Sequence, residues 1–428
     1  MSVNNLQIVL VTPKSDHSWE SLGLGYIAAY SYLFGFQPNQ YSFFHGQFDS
    51  DETIVAGCEH ADIIAFSLTT FQVSSALVLI HKIRKINRIA RIVWGGYAVN
   101  GLTEKQLLDM YGSSVNYFIQ GPGEESWVAF LQNSNPPRIM RKQLMNYLDS
   151  VPFPDRDLIR VDRHFEKLAT IGEGRKTSME MQRGGCPFNC VFCAARSYSR
   201  KRGLSRSAQN IVSEMEMLRD RYGMDQNSMV LMCDAEVFLT QEMAIMAQLK
   251  IERGITFGYG MNVVASTILD TESRNVLEKM VQSGCREIWM GVECGPSLLH
   301  LTGKPNTANQ LREAFRITNE MGLARKAYFI LGFTPEETEE TIKERIAFIE
   351  ELDPDEVGFS LYIPVPGSLG YRHEEHRHID YSVSCEYHNS FTHTDTLSNE
   401  DLKYWQKYLV EYFNDKIGYR QKHTDSKS

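Results

Sequence analysis

Arg183-Gly-Gly-Cys-Pro-Phe-Asn-Cys-Val-Phe-Cys193 sets Cys186, Cys190 and Cys193 in one short loop with the spacing C-x-x-x-C-x-x-C. A closed zinc or iron–sulfur site takes four ligands, so three thiolates leave one metal position open for a small molecule. A structural zinc loop and three unrelated buried thiols are the alternative readings. The loop follows a strand candidate at 178–182, and five more lie downstream, at 229–232, 257–261, 287–290, 327–331 and 356–363. Helical stretches separate them, for example 208–222 and 308–321. Short apolar runs bounded by turn residues are the pattern of buried parallel strands. Six such repeats predict a partial (β/α)6 barrel, with its chemistry at the carboxyl ends of the strands.

Upstream, the first third alternates in the same way. Strand candidates at 6–11, 61–67, 91–94 and 117–119 are interleaved with helical spacing at 23–30, at 74–86 and from Ser126. Repeated βα units predict a doubly wound, Rossmann-like parallel sheet that binds ligands at its carboxyl edge. Residues there that could line a cleft are Ser67 and Thr69, Gly95 and Gly96, then Gly121, Gly123 and Glu124. Glycines after buried strands permit close approach to a bulky cofactor, and they also make ordinary tight turns. The expected domains are 1–147, a proline- and charge-rich linker at 148–177, a barrel at 178–371 and a polar, helical segment at 372–428. The end of that segment, 421–428, is expected to be disordered.

The bulk properties fit a cytoplasmic enzyme. A formal charge of −9 without a basic stretch argues against a nucleic-acid partner. No apolar run is long enough to span a bilayer, so no membrane partner is expected. Eight cysteines in 428 residues are no disulfide framework, and the other five (Cys58, Cys233, Cys285, Cys294, Cys385) read as buried thiols. His373, His376, His378, His388 and His393 read as a solvated polar loop, with an acid or base facing the cavity as the alternative.

From Leu6 to about Tyr371 the chain resembles the radical S-adenosylmethionine (SAM) enzymes that carry an N-terminal cobalamin-binding-type domain. The cysteine motif bears most of that resemblance, together with the segment Leu148-Asp-Ser-Val-Pro-Phe-Pro-Asp-Arg-Asp157. It implies a 4Fe–4S cluster on the three cysteines, whose open iron chelates SAM. Reductive cleavage then gives a 5′-deoxyadenosyl radical. Phe192 stands where the family places an aromatic residue against adenine or cluster. Asp234 and Glu236 are candidates for the SAM ammonium, with Glu236 favoured, and Glu293 for the ribose. Asn262 is a polar group at a strand end, Lys304 could neutralise a carboxylate, and Gly332 would let the backbone approach the adenine. Pro364-Val-Pro-Gly-Ser-Leu-Gly-Tyr371 resembles the family's ending of the sixth strand, where the backbone meets the adenine and the turn lines the substrate cavity.

The first domain lacks the Asp-x-His-x-x-Gly motif that supplies an axial histidine to cobalamin, since Asp16-His17 and His45-Gly46 are spaced differently. Two readings stay open: cobalamin held without a protein axial ligand, or a purely structural domain. The implied reaction is C-methylation of a small metabolite or natural-product intermediate, powered by a flavodoxin- or ferredoxin-type reductant. The alternatives are cobalamin-independent dehydration, epimerisation or rearrangement, and a non-catalytic iron–sulfur protein.

Overall fold

The computed structural model describes residues 6–15, 20–141, 147–184, 186–197, 203–234 and 236–417. Asp16-His17 and the tail at 421–428 lie outside them. The chain divides into two compact units. The first holds Met1–Glu173, Val365–Gly367 and Tyr371–Ser382; the second holds Gly174–Pro364, Ser368–Gly370 and Val383–Ser428.

In the first unit six strands form one parallel sheet: β1 (Ile8–Thr12), β2 (Tyr41–His45), β3 (Ile63–Ser67), β4 (Arg91–Gly95), β5 (Tyr117–Gln120) and β6 (Ile139–Arg141). Their spatial order is β2-β1-β3-β4-β5-β6. The apolar runs are continuous because both faces are covered. Ile8, Leu10, Ile63, Ala65, Val93 and Ile119 enter one core, and Val9, Val11, Ile64, Phe66, Ile92, Trp94 and Phe118 the other. That alternation is the two-residue period of a strand with two buried faces. The order reverses between β1 and β3, which marks the edge where such sheets take ligands.

Two strands of this sheet, β2 and β6, were not expected from the sequence. Both are outermost; β2 (Tyr-Ser-Phe-Phe-His) has only its end residues buried, and β6 is three residues long. The linker expected at 148–177 folds largely within the first unit, as a 3-10 turn at Leu148–Ser150 and a helix at Val161–Thr170. Tyr371–Ser382 also packs there: Tyr381 meets Phe71 edge-on at 6.1 Å, and Ser74 donates to Asp380 at 3.3 Å.

The second unit begins with β7 (Lys176–Met179). A two-strand antiparallel hairpin, β8 (Gln182–Arg183) with β9 (Leu204–Ser205), brackets the cysteine loop. Next come β10 (Met229–Met232), β11 (Gly258–Asn262), β12 (Cys285–Glu293), β13 (Ala324–Leu331) and β14 (Glu356–Leu361). Six strands pair in parallel in the order β7-β10-β11-β12-β13-β14, an open barrel wall laid down in chain order. An open edge strand needs cover. The helix Asn399–Ile417 supplies it for β14: Gln406 Nε2 donates to Phe359 O at 3.0 Å, and Phe413 packs on Phe359 at 5.9 Å.

Cys58, Cys285, Cys294 and Cys385 are buried as expected, but Cys233 is exposed, because it stands just past the last residue of β10. Among the described residues no helix is long and apolar enough to cross a membrane.

Candidate active site

The three cysteines are free thiols on the loop that leaves β8. Two backbone bonds pin the loop at Val191: its N–H donates to Thr302 O at 3.1 Å, and its carbonyl accepts from Gly370 N–H at 2.9 Å. A turn, Cys193 N–H to Cys190 O at 3.2 Å, closes the second half, and Ala195 N–H points at Cys193 Sγ at 3.4 Å. Burial pushes all three thiols up, Cys190 to about 12, while the charge of Lys304 pulls each of them down. Cys190 and Cys186 each feel Cys193, so the sulfurs share one neighbourhood, although no three metal-ligating side chains among the described residues close around a single ion. Thiols held neutral in this way become ligands when a metal centre deprotonates them. The donor set fits a cubane with three protein corners, since the loop offers no fourth cysteine. Phe192 turns from the loop into an edge-on contact with Phe333, centroids 6.0 Å apart.

Lys304 is the centre of charge. Its Nζ forms an ion pair with Glu293 and donates to Gly291 O at 3.0 Å. Burial alone would lower the ammonium, but Glu293, Cys190 and Glu236 outweigh it and raise it. Glu293 ends β12 with φ +77°, a left-handed backbone that few non-glycine residues adopt, where the pairing with β13 slips by one residue. Strain at a functional strand end is a familiar use of such geometry. Sequence reasoning singled out both residues, but not their pairing, which depends on that bulge.

The remaining candidates fall into distinct roles. Asp234 accepts from Met181 N–H at 3.1 Å and Gln182 N–H at 2.7 Å, and Gln182 clamps Phe238 through two further bonds of 2.8 and 2.9 Å. Asp234 thus ties β10 to the chain entering the cysteine loop, and burial raises its carboxyl to about 7. Glu236 is also raised to about 7 by burial. Its Oε1 accepts from Val264 N–H at 2.9 Å and Thr267 Oγ1 at 3.4 Å, while Oε2 has no partner among the described residues. Asn262 ends β11, and its backbone carbonyl accepts from Val237 N–H at 3.1 Å. Gly332 has φ +76°, and a Cβ there would stand 2.6 Å from Thr392 Cγ2 and 2.8 Å from Leu402 Cδ1. The C-terminal segment fills that side, and this packing by itself requires glycine. Gly332 N–H bonds Glu337, which pairs with the fully buried Arg345.

At the carboxyl edge of the first sheet the candidates divide again. Gly96 (φ +90°) is wedged against Leu68, whose N and O would lie 2.7 and 2.6 Å from a Cβ. Thr69 caps the turn Thr70–Gln72. Gly121 (φ +80°) donates its N–H to Asn100 Oδ1 at 2.7 Å. Gly123 and Glu124 open the helix Glu124–Gln132. Gly95 is different: a Cβ there meets only Ile119 O at 3.7 Å, and at Gly23, which sequence reasoning missed, only Ser67 Oγ at 3.9 Å. Gly95 pairs with Ser67 across the sheet and Gly23 lies against the Ser67 hydroxyl, so the three make a shelf of two bare glycines and one small side chain. His45 is 2% exposed, and its Nδ1 accepts from Gln47 N–H at 3.2 Å, so it is not presented to a ligand. Of the histidines after the barrel, His378, His388 and His393 are exposed, and His373 and His376 are half-buried.

Residues 183–349 match the family model of the radical SAM superfamily. The chain carries a radical SAM domain. The match opens at Arg183, takes in all three cysteines and reaches past β13, so it covers Asp234, Glu236, Asn262, Glu293, Lys304 and Gly332. Radical SAM enzymes use a 4Fe–4S cluster and SAM, and the matched segment includes the three-cysteine loop. Over 326 residues the chain is 26% identical to an uncharacterized methyltransferase of Pyrococcus horikoshii, covering 72% of this chain and 68% of that protein. Over 221 residues it is 26% identical to the anaerobic magnesium-protoporphyrin IX monomethyl ester cyclase of Rubrivivax gelatinosus, covering 51% of this chain but only 39% of that one. In three dimensions it matches the cobalamin-dependent S-adenosylmethionine radical enzyme OxsB, solved with aqua-cobalamin, with a TM-score of 0.67 at 16% identity over 81% of this chain and 52% of OxsB. The fold therefore runs through both units in common with OxsB.

Proposed function

We propose that this radical SAM enzyme is a cobalamin-dependent methyltransferase acting on carbon in a small metabolite or natural-product intermediate. The observation that carries the reading is the first unit itself: a full doubly wound sheet with a glycine shelf bare at its carboxyl edge, beside the point where strand order reverses. A shelf of two glycines and one small hydroxyl suits a flat, bulky cofactor, and the resemblance in fold to OxsB and in sequence to a methyltransferase supports the same choice. Ser67, Gly95 and Gly23 would hold it, with Gly96, Thr69, Gly121, Gly123 and Glu124 shaping the turns around them. When bound, the cluster and SAM supply a 5′-deoxyadenosyl radical, and cobalamin supplies a methyl group. The chain's own residues bind and orient. Glu236 has an oxygen left for the SAM ammonium, and Glu293 accepts from the ribose hydroxyls. A flavodoxin- or ferredoxin-type protein is the proposed reductant.

One observation favours a second reading, a cobalamin-independent radical reaction. His45, which ends β2, is buried and already engaged, so it offers no axial ligand. Absorption spectra of protein purified anaerobically from vitamin-fed cells separate the two. Retained cobalamin, lost in Gly95→Leu while iron content stays, is the expected result. No cobalamin in the unaltered protein would leave the second reading.

A further inference from the structure

We infer that Lys304 is a positioning residue that couples the SAM site to the cluster, holding Glu293 and the cysteine loop as one unit and setting the reduction potential of the metal centre. The inference deepens the reading of Glu293 as a SAM contact and rests on it. Three adjacent residues make the link. Thr302 O takes the Val191 N–H in the middle of the cysteine loop. Gly303, with φ +77°, lies so close to that loop that a Cβ would stand 2.3 Å from Asn189 O and 3.3 Å from Cys190 Cα. Lys304 then reaches back to Gly291 O and Glu293 at the end of β12. Glu293 is buried and Lys304 mostly covered, at 6% and 14% side-chain exposure, so water screens their charges little.

The consequence is electrostatic. A fixed cation beside three thiolates favours the extra electron of the reduced cluster, and the Glu293 carboxylate offsets that cation. When Glu293 turns its acceptor oxygens to a ligand's hydroxyls, the balance at Lys304 changes, and the cluster registers the occupancy. The two side chains therefore push the potential in opposite directions.

The test uses the anaerobically reconstituted enzyme, with iron content, SAM affinity and the cluster's midpoint potential as readouts. Lys304→Met should keep its iron, bind SAM about tenfold more weakly, as expected for loss of one charge-assisted interaction, and give a more negative potential. Glu293→Gln should move the potential the other way. Lys304→Arg keeps the charge and should restore the potential. Wild-type potential in Lys304→Met, or equal iron loss in Lys304→Met and Lys304→Arg, would overturn the inference. Unchanged SAM affinity in Glu293→Gln, with opposite potential shifts intact, would instead reject Glu293 as a SAM contact and leave Lys304's action on the cluster standing.

Discussion

Gly303→Ala isolates the mechanical half of the cysteine-loop architecture. The substitution adds one methyl group, yet that methyl would stand 2.3 Å from Asn189 O and 3.0 Å from its carbonyl carbon. Contacts that short do not occur, so the loop must move. Left-handed backbone costs a non-glycine residue about 1–2 kcal/mol, and forcing a group into packed surroundings adds roughly 1–3 kcal/mol. The sum, about 2–5 kcal/mol, falls within the ~5–15 kcal/mol that holds a protein together. The barrel should therefore fold while the cysteine loop gives way. Gly254→Ala is the matched control, since Gly254 has φ +62° but nothing within 4 Å of its Cβ position, and it should bear the backbone cost alone. Iron and sulfide content after anaerobic reconstitution, with urea unfolding on the same samples, measures both effects. Gly303→Ala should lose most of its cluster, and Gly254→Ala should keep it. Full iron content in Gly303→Ala, with stability equal to the control, would refute the role given to this contact.

Replacing Cys186, Cys190 and Cys193 together by alanine should abolish the brown chromophore and 5′-deoxyadenosine formation; either one persisting in the triple variant would remove the cluster assignment. Asp234 and Glu236, raised to about 7 chiefly by burial, hold protons in the folded state that the unfolded chain releases near pH 4. Their contribution to stability is therefore fullest at low pH and is lost as pH rises from about 4 to about 7. Asp234→Asn should flatten that part of the urea-midpoint profile, and a slope equal to wild type would count against a protonated Asp234.

Much of this arrangement was legible in the sequence because buried parallel strands carry their signal locally. Met229-Val-Leu-Met232 needs no partner to read as a strand, whereas Glu293 was singled out by the family resemblance, which implies a ribose contact at the end of the fourth strand. Edge strands lack that signal: β2 carries polar and aromatic residues on a half-covered face, and β6 is too short to show a period. The 148–177 stretch reads as a linker by its prolines, yet Val161–Thr170 folds as a helix whose burial rests on few residues, Val161 and His164 among them. Within the site, residue type was easier to read than role. A carboxylate after β10 was visible, but nothing local shows that Asp234 spends its acceptors on Met181 and Gln182 while Glu236 keeps an oxygen available. Glycines show the same limit. Gly96 and Gly332 are required by atoms distant in sequence, Leu68 in one case and Thr392 and Leu402 in the other. Gly23 carried no mark beyond its place in a helical run.

The most direct measurement is the product ratio under turnover. Anaerobic reactions with candidate substrates, with and without methylcobalamin, would be resolved by chromatography. A methyltransferase of the proposed kind consumes one SAM as methyl source and a second as radical source. S-adenosylhomocysteine and 5′-deoxyadenosine should therefore appear in comparable amounts beside a methylated product, and only when cobalamin is present. Complete turnover without cobalamin, releasing 5′-deoxyadenosine and no S-adenosylhomocysteine, would contradict the proposed methyl transfer while leaving the cluster on its three cysteines.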